Sequence, residues 1–385
     1  MWGRRMEYKK LGDIATYING YPFKPEDRGE CGLPIIRIQD LTGNTYDLGY
    51  YDGKYPERIE INNGDILISW SASLGVYVWN RGKALLNQHI FKVVFDKVEI
   101  NKRYFVYAVQ FKLKEMEAKT HGATMKHIVK KDFDSTLIPY PSLKEQSRIA
   151  EIIDSIAKSI NMRQKQLQKL DDLVKARFVE LFGDMFLNFE EWNEAPLESL
   201  ADIVSGITKG RKVSEKHLIK VPYMAVSNVK EGYIDWTTVK TIEATEQEIN
   251  QYRLLPDDVL MTEGGDPDKL GRGAIIKTPL ENCIHQNHIF RVRLDETHIL
   301  PVYFAEYLQH QRAKRYFLGC AKQTTGIASI NMRQLKALPV LIPPLDLQNQ
   351  FAAFVTQTDK SKAVIQKALD EAQLLFDSLM QKYFG

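Results

Sequence analysis

The chain has little of what a metal, redox or membrane protein needs. Its three cysteines, Cys31, Cys283 and Cys320, lie far apart and form no C-x-x-C pair, so neither a zinc site nor a redox motif is implied. They read as small buried hydrophobes. No apolar run approaches the roughly 18 residues of a membrane span. The amino terminus, "MWGRRMEYKKLGDI", has charges but no apolar core behind them, which excludes a signal peptide and makes a cytoplasmic protein the expectation. Charge of one sign is scarce too. A net charge of +3 over 385 residues permits nucleic-acid binding only if the basic residues are clustered.

Catalytic signatures are equally thin. No G-x-x-x-x-G-K-[ST] loop occurs, and "GGDPDKLGRG" (264–273) matches neither that motif nor G-x-G-x-x-G. It reads as a loop inserted where an earlier part of the chain has "SWSASLG" (69–75). The segments "IPYP" and "LIPPL" are superficially like the Pro-Pro motif of amino-methyltransferases. They lack the preceding Asn or Asp that would hold the target amine, and each leads into a helix. No Ser-His-Asp order, H-E-x-x-H or D-x-D-x-D-G stands out. No metal or cofactor site is expected on this chain.

What is present is ordinary globular material, 44% hydrophobic and 26% charged, long enough for two domains. It is also written twice. "IPYPSLKEQSRIAEII" (138–153) aligns without a gap with "VLIPPLDLQNQFAAFV" (340–355), at an offset of 202 residues. Pro141 matches Pro343, Leu143 matches Leu345, Gln146 matches Gln348 and Ala150 matches Ala352. Earlier blocks repeat in the same order: "LGDI" with "LADI", "LPIIRIQDL" with "VPYMAVSNV", "NGDILIS" with "DDVLMT", and "NQHIFKV" with "QNHIFRV". A period this long marks a duplicated domain, not a solenoid. The short Ile-, Val- and Phe-rich runs predict strands. Residues 104–120 and 302–318 carry apolars at helical spacing and predict one amphipathic helix each.

Each half then ends in a long helix that begins after proline, a start signal, and stops at Phe182-Gly183 or Phe384-Gly385. In the first, Ile153, Ile160, Leu167, Val174 and Leu181 recur every seven residues, beside a second row of Ile149, Ile156 and Leu170 broken by Arg163 and Arg177. In the second, the matching positions are Val355, Leu369, Phe376 and Tyr383, beside Phe351, Ile365, Ala372 and Leu379, interrupted by Thr358 and Lys362. A seven-residue apolar repeat is a coiled-coil seam. Residues 146–183 would make a rod of roughly 57 Å. The expected fold class is α+β, with two similar mixed α/β domains joined by two long antiparallel coiled-coil helices in a pseudo-twofold internal repeat. The expected boundaries are 1–140 and 184–342 for the domains, and 141–183 and 343–385 for the helices. The second apolar row, with Ile149, Ile156 and Leu170, is expected to remain for a partner.

These blocks, their order, their duplication and the helices after them resemble the specificity subunit of type I restriction–modification systems, over nearly the whole chain. The helix-opening motif departs from the family's Pro-Pro-Leu-x-Glu-Gln: Ser142 replaces a proline in the first copy and Leu347 the glutamate in the second. The resemblance implies two target-recognition domains, each reading one half of a split, asymmetric double-stranded DNA site, with the helices as a ruler between them. It implies two methyltransferase subunits docked on the chain, restriction translocase subunits added for cleavage, and S-adenosylmethionine bound by the methyltransferase. The chain itself would be non-catalytic and would not touch a membrane.

DNA contact is expected from loops that hold Lys and Arg beside Gly, Thr and Gln, suited to phosphates and base edges. Two such loops recur in each half: 17–29 and 206–217, then 119–131 and 321–333. They nominate Lys24, Lys126, Lys130, Lys209, Arg211, Lys212, Lys322, Gln323, Thr324 and Thr325, with Trp70 and Ser71 as further candidates. The paired clusters Asn87-Gln88-His89 and Gln286-Asn287-His288 read first as side chains satisfying backbone groups beside a buried strand, next as DNA contacts, and least as catalysts. Two alternatives stay open. One is a stand-alone DNA-specificity protein of another defence system; the other is a non-catalytic tandem-domain scaffold for protein or RNA. A nuclease or methyltransferase with a disguised site is a third, weaker one.

Overall fold

A computed structural model describes residues 7–44, 47–119, 128–183, 185, 192–211, 217–265, 270–324 and 327–385. The chain divides into two compact units, one made of residues 1–164 and 367–385, the other of 165–366.

In the first unit the run Ile66–Ser69 is buried at every position and lies second from one edge of a four-stranded antiparallel sheet. The sheet order is Thr16–Asn19, Ile90–Val94, Ile66–Ser69, Gly75–Val78, with Ile68 opposite Phe91. A second sheet orders Tyr50–Tyr51, Leu33–Ile36, Ala84–Leu86 and Glu60–Ile61, its central pair parallel. The second unit repeats this plan. Ala201–Ser205, Ile289–Leu294, Val259–Thr262 and Gly273–Ile275 form the antiparallel sheet, with Met261 opposite Phe290. Lys240–Ala244, Ile219–Met224 and Ile284–His285 form the other, again with a parallel pair. Its addition is a small sheet of Gly264–Gly265, Ile327–Ser329 and Lys322–Thr324.

Turn chemistry is shared even where residues differ. Asp40, buried, accepts the Arg37 amide at 2.8 Å, and Asn228, buried, accepts the Ala225 amide at 2.9 Å. Both close the turn that follows the parallel strand. Gly20 and Gly206 each lie so close to the neighbouring chain that a Cβ would stand 2.0 Å from a backbone carbonyl, that of Asn87 or of His285. Only glycine allows that approach.

The helix expected over 104–120 is continuous, Lys102–Lys119. Its counterpart is broken into Pro301–Tyr307 and Gln311–Cys320. The cause is His310, whose extended backbone and ring nitrogen cap the second piece by accepting from the Arg312 amide.

The long helices are Leu143–Phe182 and Leu345–Phe384, 40 residues each, or about 60 Å at 1.5 Å per residue. Their starts are pinned by the repeated glutamine. Gln146 is fully buried, accepts the Asn101 amide at 2.9 Å and donates to the Pro141 carbonyl at 2.8 Å. Gln348, also fully buried, accepts the Leu300 amide at 2.8 Å and donates to the Pro343 and His298 carbonyls. In the first unit Ile149, Ala150 and Ile153 share a core with Met380 and Phe384. In the second, Val174, Phe178 and Phe182 share a core with Phe351.

The seam residues Ile153 and Val174 are buried. Ile160, Leu167, Leu181, Val355, Leu369, Phe376 and Tyr383 are half-buried. The polar interruptions find partners: Arg177 pairs with Glu180 and lies over the Phe354 ring, Lys362 pairs with Asp171, and the Thr358 hydroxyl donates to the Phe354 carbonyl. The second row corrects the sequence reading. Ile149 is not left for a partner but buried in the core of its own unit, because it lies one turn from the pinned helix start. Ile156 and Leu170 are half-buried. Among the described residues, no helix is long and apolar enough to cross a membrane.

Candidate nucleic-acid interface

The central strand of each antiparallel sheet ends where several loops meet. In the first unit, Trp70 follows Ser69. Its amide donates to the His89 carbonyl at 3.3 Å, and its carbonyl accepts the Ile128 amide at 2.9 Å. Tyr21 joins through its own amide to the Leu86 carbonyl and through its carbonyl to the Gln88 amide. The second unit repeats the lacing. The Glu263 amide donates to the His288 carbonyl at 3.0 Å, and its carbonyl accepts the Ile330 amide at 2.8 Å. The Ile207 amide bonds the His285 carbonyl, and the Ile207 carbonyl accepts the Asn287 amide. Four segments far apart in sequence are thus tied by main-chain bonds at one place in each unit.

The side chains differ between the copies. In the first, the Trp70 ring lies 4.9 Å from the His89 ring and stacks on Phe91 at 5.5 Å, and its Nε1 donates to Asn19 Oδ1 at 3.3 Å. His89 and nearby Ala72 have φ of 71° and 57°, a left-handed conformation costly for residues with a Cβ. In the second, His288 Nδ1 lies 2.6 Å from Glu263 Oε2, with both side chains partly exposed. Asn287 Nδ2 stands 3.4 Å from His288 Nε2.

The nominated residues distribute as follows. Lys24 is exposed at the head of a short 3₁₀ turn, its amide bonded to Asp27 and its ammonium 3.8 Å from Glu26. Ser71 is half-buried beside Trp70. Lys130 pairs with Asp134 and lies over the Tyr17 and Phe91 rings, next to the Ile128 junction. Lys209 and Lys322 are exposed. Arg211 is engaged elsewhere: its guanidinium grips the Glu248 carboxylate with two hydrogen bonds. That contact holds the arginine's pKa above its ordinary value and the Glu248 carboxyl's below. Gln323 and Thr324 belong to the strand Lys322–Thr324 that pairs with Ile327–Ser329. Lys126, Lys212 and Thr325 lie outside the described residues.

Behind this edge in the second unit sits His285, fully buried, with Nδ1 3.1 Å from the Tyr252 carbonyl and Nε2 3.3 Å from the Val204 carbonyl. Burial pushes its imidazole down to about 4, so it is neutral near pH 7 and serves as structural mortar. His285 lies just outside the paired Asn/Gln/His clusters; within them, Gln286 Oε1 accepts the Val226 amide at 3.4 Å and Asn87 Oδ1 the Gln88 amide at 2.9 Å. His288, by contrast, points to the surface. Sequence reasoning missed Glu263 and Asn19, the side chains that position His288 and Trp70. The one available signal for Glu263 was its place directly after the repeated strand, where the first copy has Trp70.

A domain built twice, each copy presenting the same laced edge and holding parts of two long helices, is the architecture of a tandem recognition protein. The chain belongs to the family described as type I restriction modification DNA specificity domain, whose model matches it over residues 4–172 and again over 189–373. Among curated proteins, it is 24% identical to the type I restriction enzyme EcoBI specificity subunit of Escherichia coli, over 97% of this chain and 84% of that one. It is 25% identical to the EcoKI specificity subunit of E. coli strain K12, over 96% and 86%. Among solved structures, the S subunit of a type I restriction-modification system from M. genitalium matches with a TM-score of 0.57 at 16% identity, covering 100% of this chain and 98% of that one. That match speaks to the fold.

Proposed function

We propose that the chain is the DNA-recognition subunit of a type I restriction–modification enzyme, acting in the cytoplasm, in which each globular domain reads one half of a bipartite, asymmetric double-stranded DNA site. The observation that carries this is the edge laced identically in both units, by amides of Trp70 and Ile128 in one and of Glu263 and Ile330 in the other. One scaffold thereby displays different side chains twice, as an asymmetric site requires. The domains comprise 1–140 and 184–342, and the helices 141–183 and 343–385.

The two helices pair antiparallel as a coiled coil and set the unread spacer between the half-sites. Support comes from the first helix's start sharing a core with the second helix's end, and the first helix's end with the second's start. Half-sites on one face of DNA recur about every 34–36 Å, a distance that helices of about 60 Å can span. The helices also dock two methyltransferase subunits, which bind S-adenosylmethionine and perform the chemistry. Restriction translocase subunits join for cleavage. The chain itself is non-catalytic. DNA contact falls to Lys24, Trp70, Ser71, Lys126, Lys130, Lys209, Lys212, Lys322, Gln323, Thr324 and Thr325, and Arg211 supports its loop through Glu248.

The test is co-expression with the methyltransferase encoded beside it, followed by mapping of methylated bases across the host genome. A split motif with two defined blocks around a spacer of fixed length is the expected result. If that methyltransferase is active with another specificity subunit but gives no new methylation with this one, the proposal fails and a tandem-domain scaffold takes its place.

A further inference from the structure

We propose that the residue following the central strand, Trp70 in the first unit and Glu263 in the second, is a specificity-determining position, and that Glu263 with His288 selects a base presenting an exocyclic amino group in the major groove. This rests on the DNA-reading role proposed above and assigns its chemistry. At this position the backbone is equivalent in both copies: the amide bonds a histidine carbonyl and the carbonyl bonds an isoleucine amide. The side chain differs. A scaffold held by main-chain bonds while one residue changes from indole to carboxylate alters what is read without altering where it is read.

The polarity of the Glu263 group follows from its geometry. A carboxylate can only accept, so the contact at 2.6 Å puts the imidazole proton on His288 Nδ1. The other ring nitrogen, Nε2, faces the Asn287 amide nitrogen 3.4 Å away. The acceptor the pair offers outward is therefore the second carboxylate oxygen of Glu263, with His288 holding the first. Glu263 and His288 side chains are 35% and 55% exposed, accessible to a groove. Phosphate oxygens repel such a group. In the major groove only adenine N6 and cytosine N4 present amino donors to it. In the first unit Trp70 offers an indole whose N–H is engaged with Asn19, so its remaining surface is apolar and suits a thymine methyl.

The experiment selects bound duplexes from a library randomised at both half-sites, using the full chain assembled with its methyltransferase subunits. Wild type is compared with Glu263→Gln, which keeps the shape and replaces one acceptor by a donor. The expected result is a loss, on the order of tenfold, of preference for adenine or cytosine at one position of one half-site, with the other half-site unchanged. The unchanged half-site serves as an internal control of assembly. Hydrogen exchange reports whether the second unit stays folded. Should Glu263→Gln unfold it, Glu263→Asp, which keeps the charge but withdraws it from His288, carries the same comparison. A split motif selected by wild type and retained at every position by the folded variant overturns this inference and leaves the DNA-reading role standing. Absence of any motif with wild type overturns both.

Discussion

The rings of Tyr104 and Phe384 lie 5.2 Å apart, although 280 residues separate them in sequence. Tyr303 and Phe182 repeat the relationship at 4.9 Å in the other unit. Each tyrosine also donates its hydroxyl to a backbone carbonyl of the strand that precedes a long helix, Tyr104 to Pro139 and Tyr303 to Leu341. One side chain thus ties a domain both to the helix that leaves it and to the end of the helix that arrives. Each globular core is completed by the last turn of the other copy's helix.

That arrangement makes stability separable. Phe384→Ala removes a fully buried aromatic from the first unit's core and should destabilise that unit by about 3 kcal/mol, leaving the second unaffected. Phe182→Ala should do the reverse. Leu374→Ala, on a side chain 73% exposed, should change either unit by less than about 0.5 kcal/mol. Amide hydrogen exchange followed separately on the two units checks all three. Equal loss in both units from Phe384→Ala would contradict the assignment of that helix end to the first core.

The repeated glutamine should tolerate no apolar replacement. Gln348→Leu leaves the Leu300 amide without its acceptor and two carbonyls without their donor, a cost of about 2 kcal/mol. Gln348→Glu at pH 7 should cost more, because it buries a charge where the native side chain donates. Part of that loss should return at acid pH, when the carboxyl regains a proton. Chemical denaturation of each variant at two pH values makes the comparison, and Gln146 should behave alike in the first unit.

His285 predicts an acid sensitivity confined to the second unit. Its folded value is pushed from 6.5 to about 4, so the unfolded chain binds a proton first as pH falls. The folded state therefore keeps its full advantage above pH 6.5 and loses it between 6.5 and 4, at up to about 1.4 kcal/mol per pH unit. His285→Asn lowers stability at neutral pH but should flatten that slope. The difference between wild-type and variant stability curves isolates the histidine from the carboxylates that titrate nearby. The first unit has Leu86 at the matching place in its parallel strand, and supplies the control.

Much of this architecture was legible in the residues, for physical reasons that also mark where legibility stops. The Ile66–Ser69 and Val259–Thr262 strands announced themselves because burial on both faces demands a run of apolar residues, here three in a row before Ser69 or Thr262. The long helices did so because proline, seven-residue spacing and glycine mark their starts, faces and ends. Periodicity, however, tells which face is apolar and not what covers it. Ile149 belongs to the same row as Ile156, yet only the pinned helix start puts it in a domain core. The break at His310 was hidden because a capping histidine and a helical one look alike in sequence. The Glu263–His288 pair was hidden because its partners lie 25 residues apart and meet only through the strand register that sets Thr262 opposite Ile289. Charge made Lys24, Lys209 and Lys322 readable as exposed. Nothing local revealed that Arg211 is held by Glu248.

That last distinction separates two neighbouring cations in one experiment. If Lys209 contacts a phosphate, Lys209→Gln should weaken binding to all sequences and reduce the slope of log K against log salt by about 0.9, with no change in stability. Arg211→Gln should instead break two charge-assisted bonds to Glu248. Glu248 itself accepts the Thr245 amide in a capping box, so the damage spreads to the helix Glu246–Tyr252 at a cost of about 2 kcal/mol. Its salt slope should match wild type wherever the protein remains folded. Titrations of duplex DNA from low to moderate salt, paired with melting curves, read both quantities. A reduced slope with Arg211→Gln at unchanged stability would move that arginine from scaffold to interface.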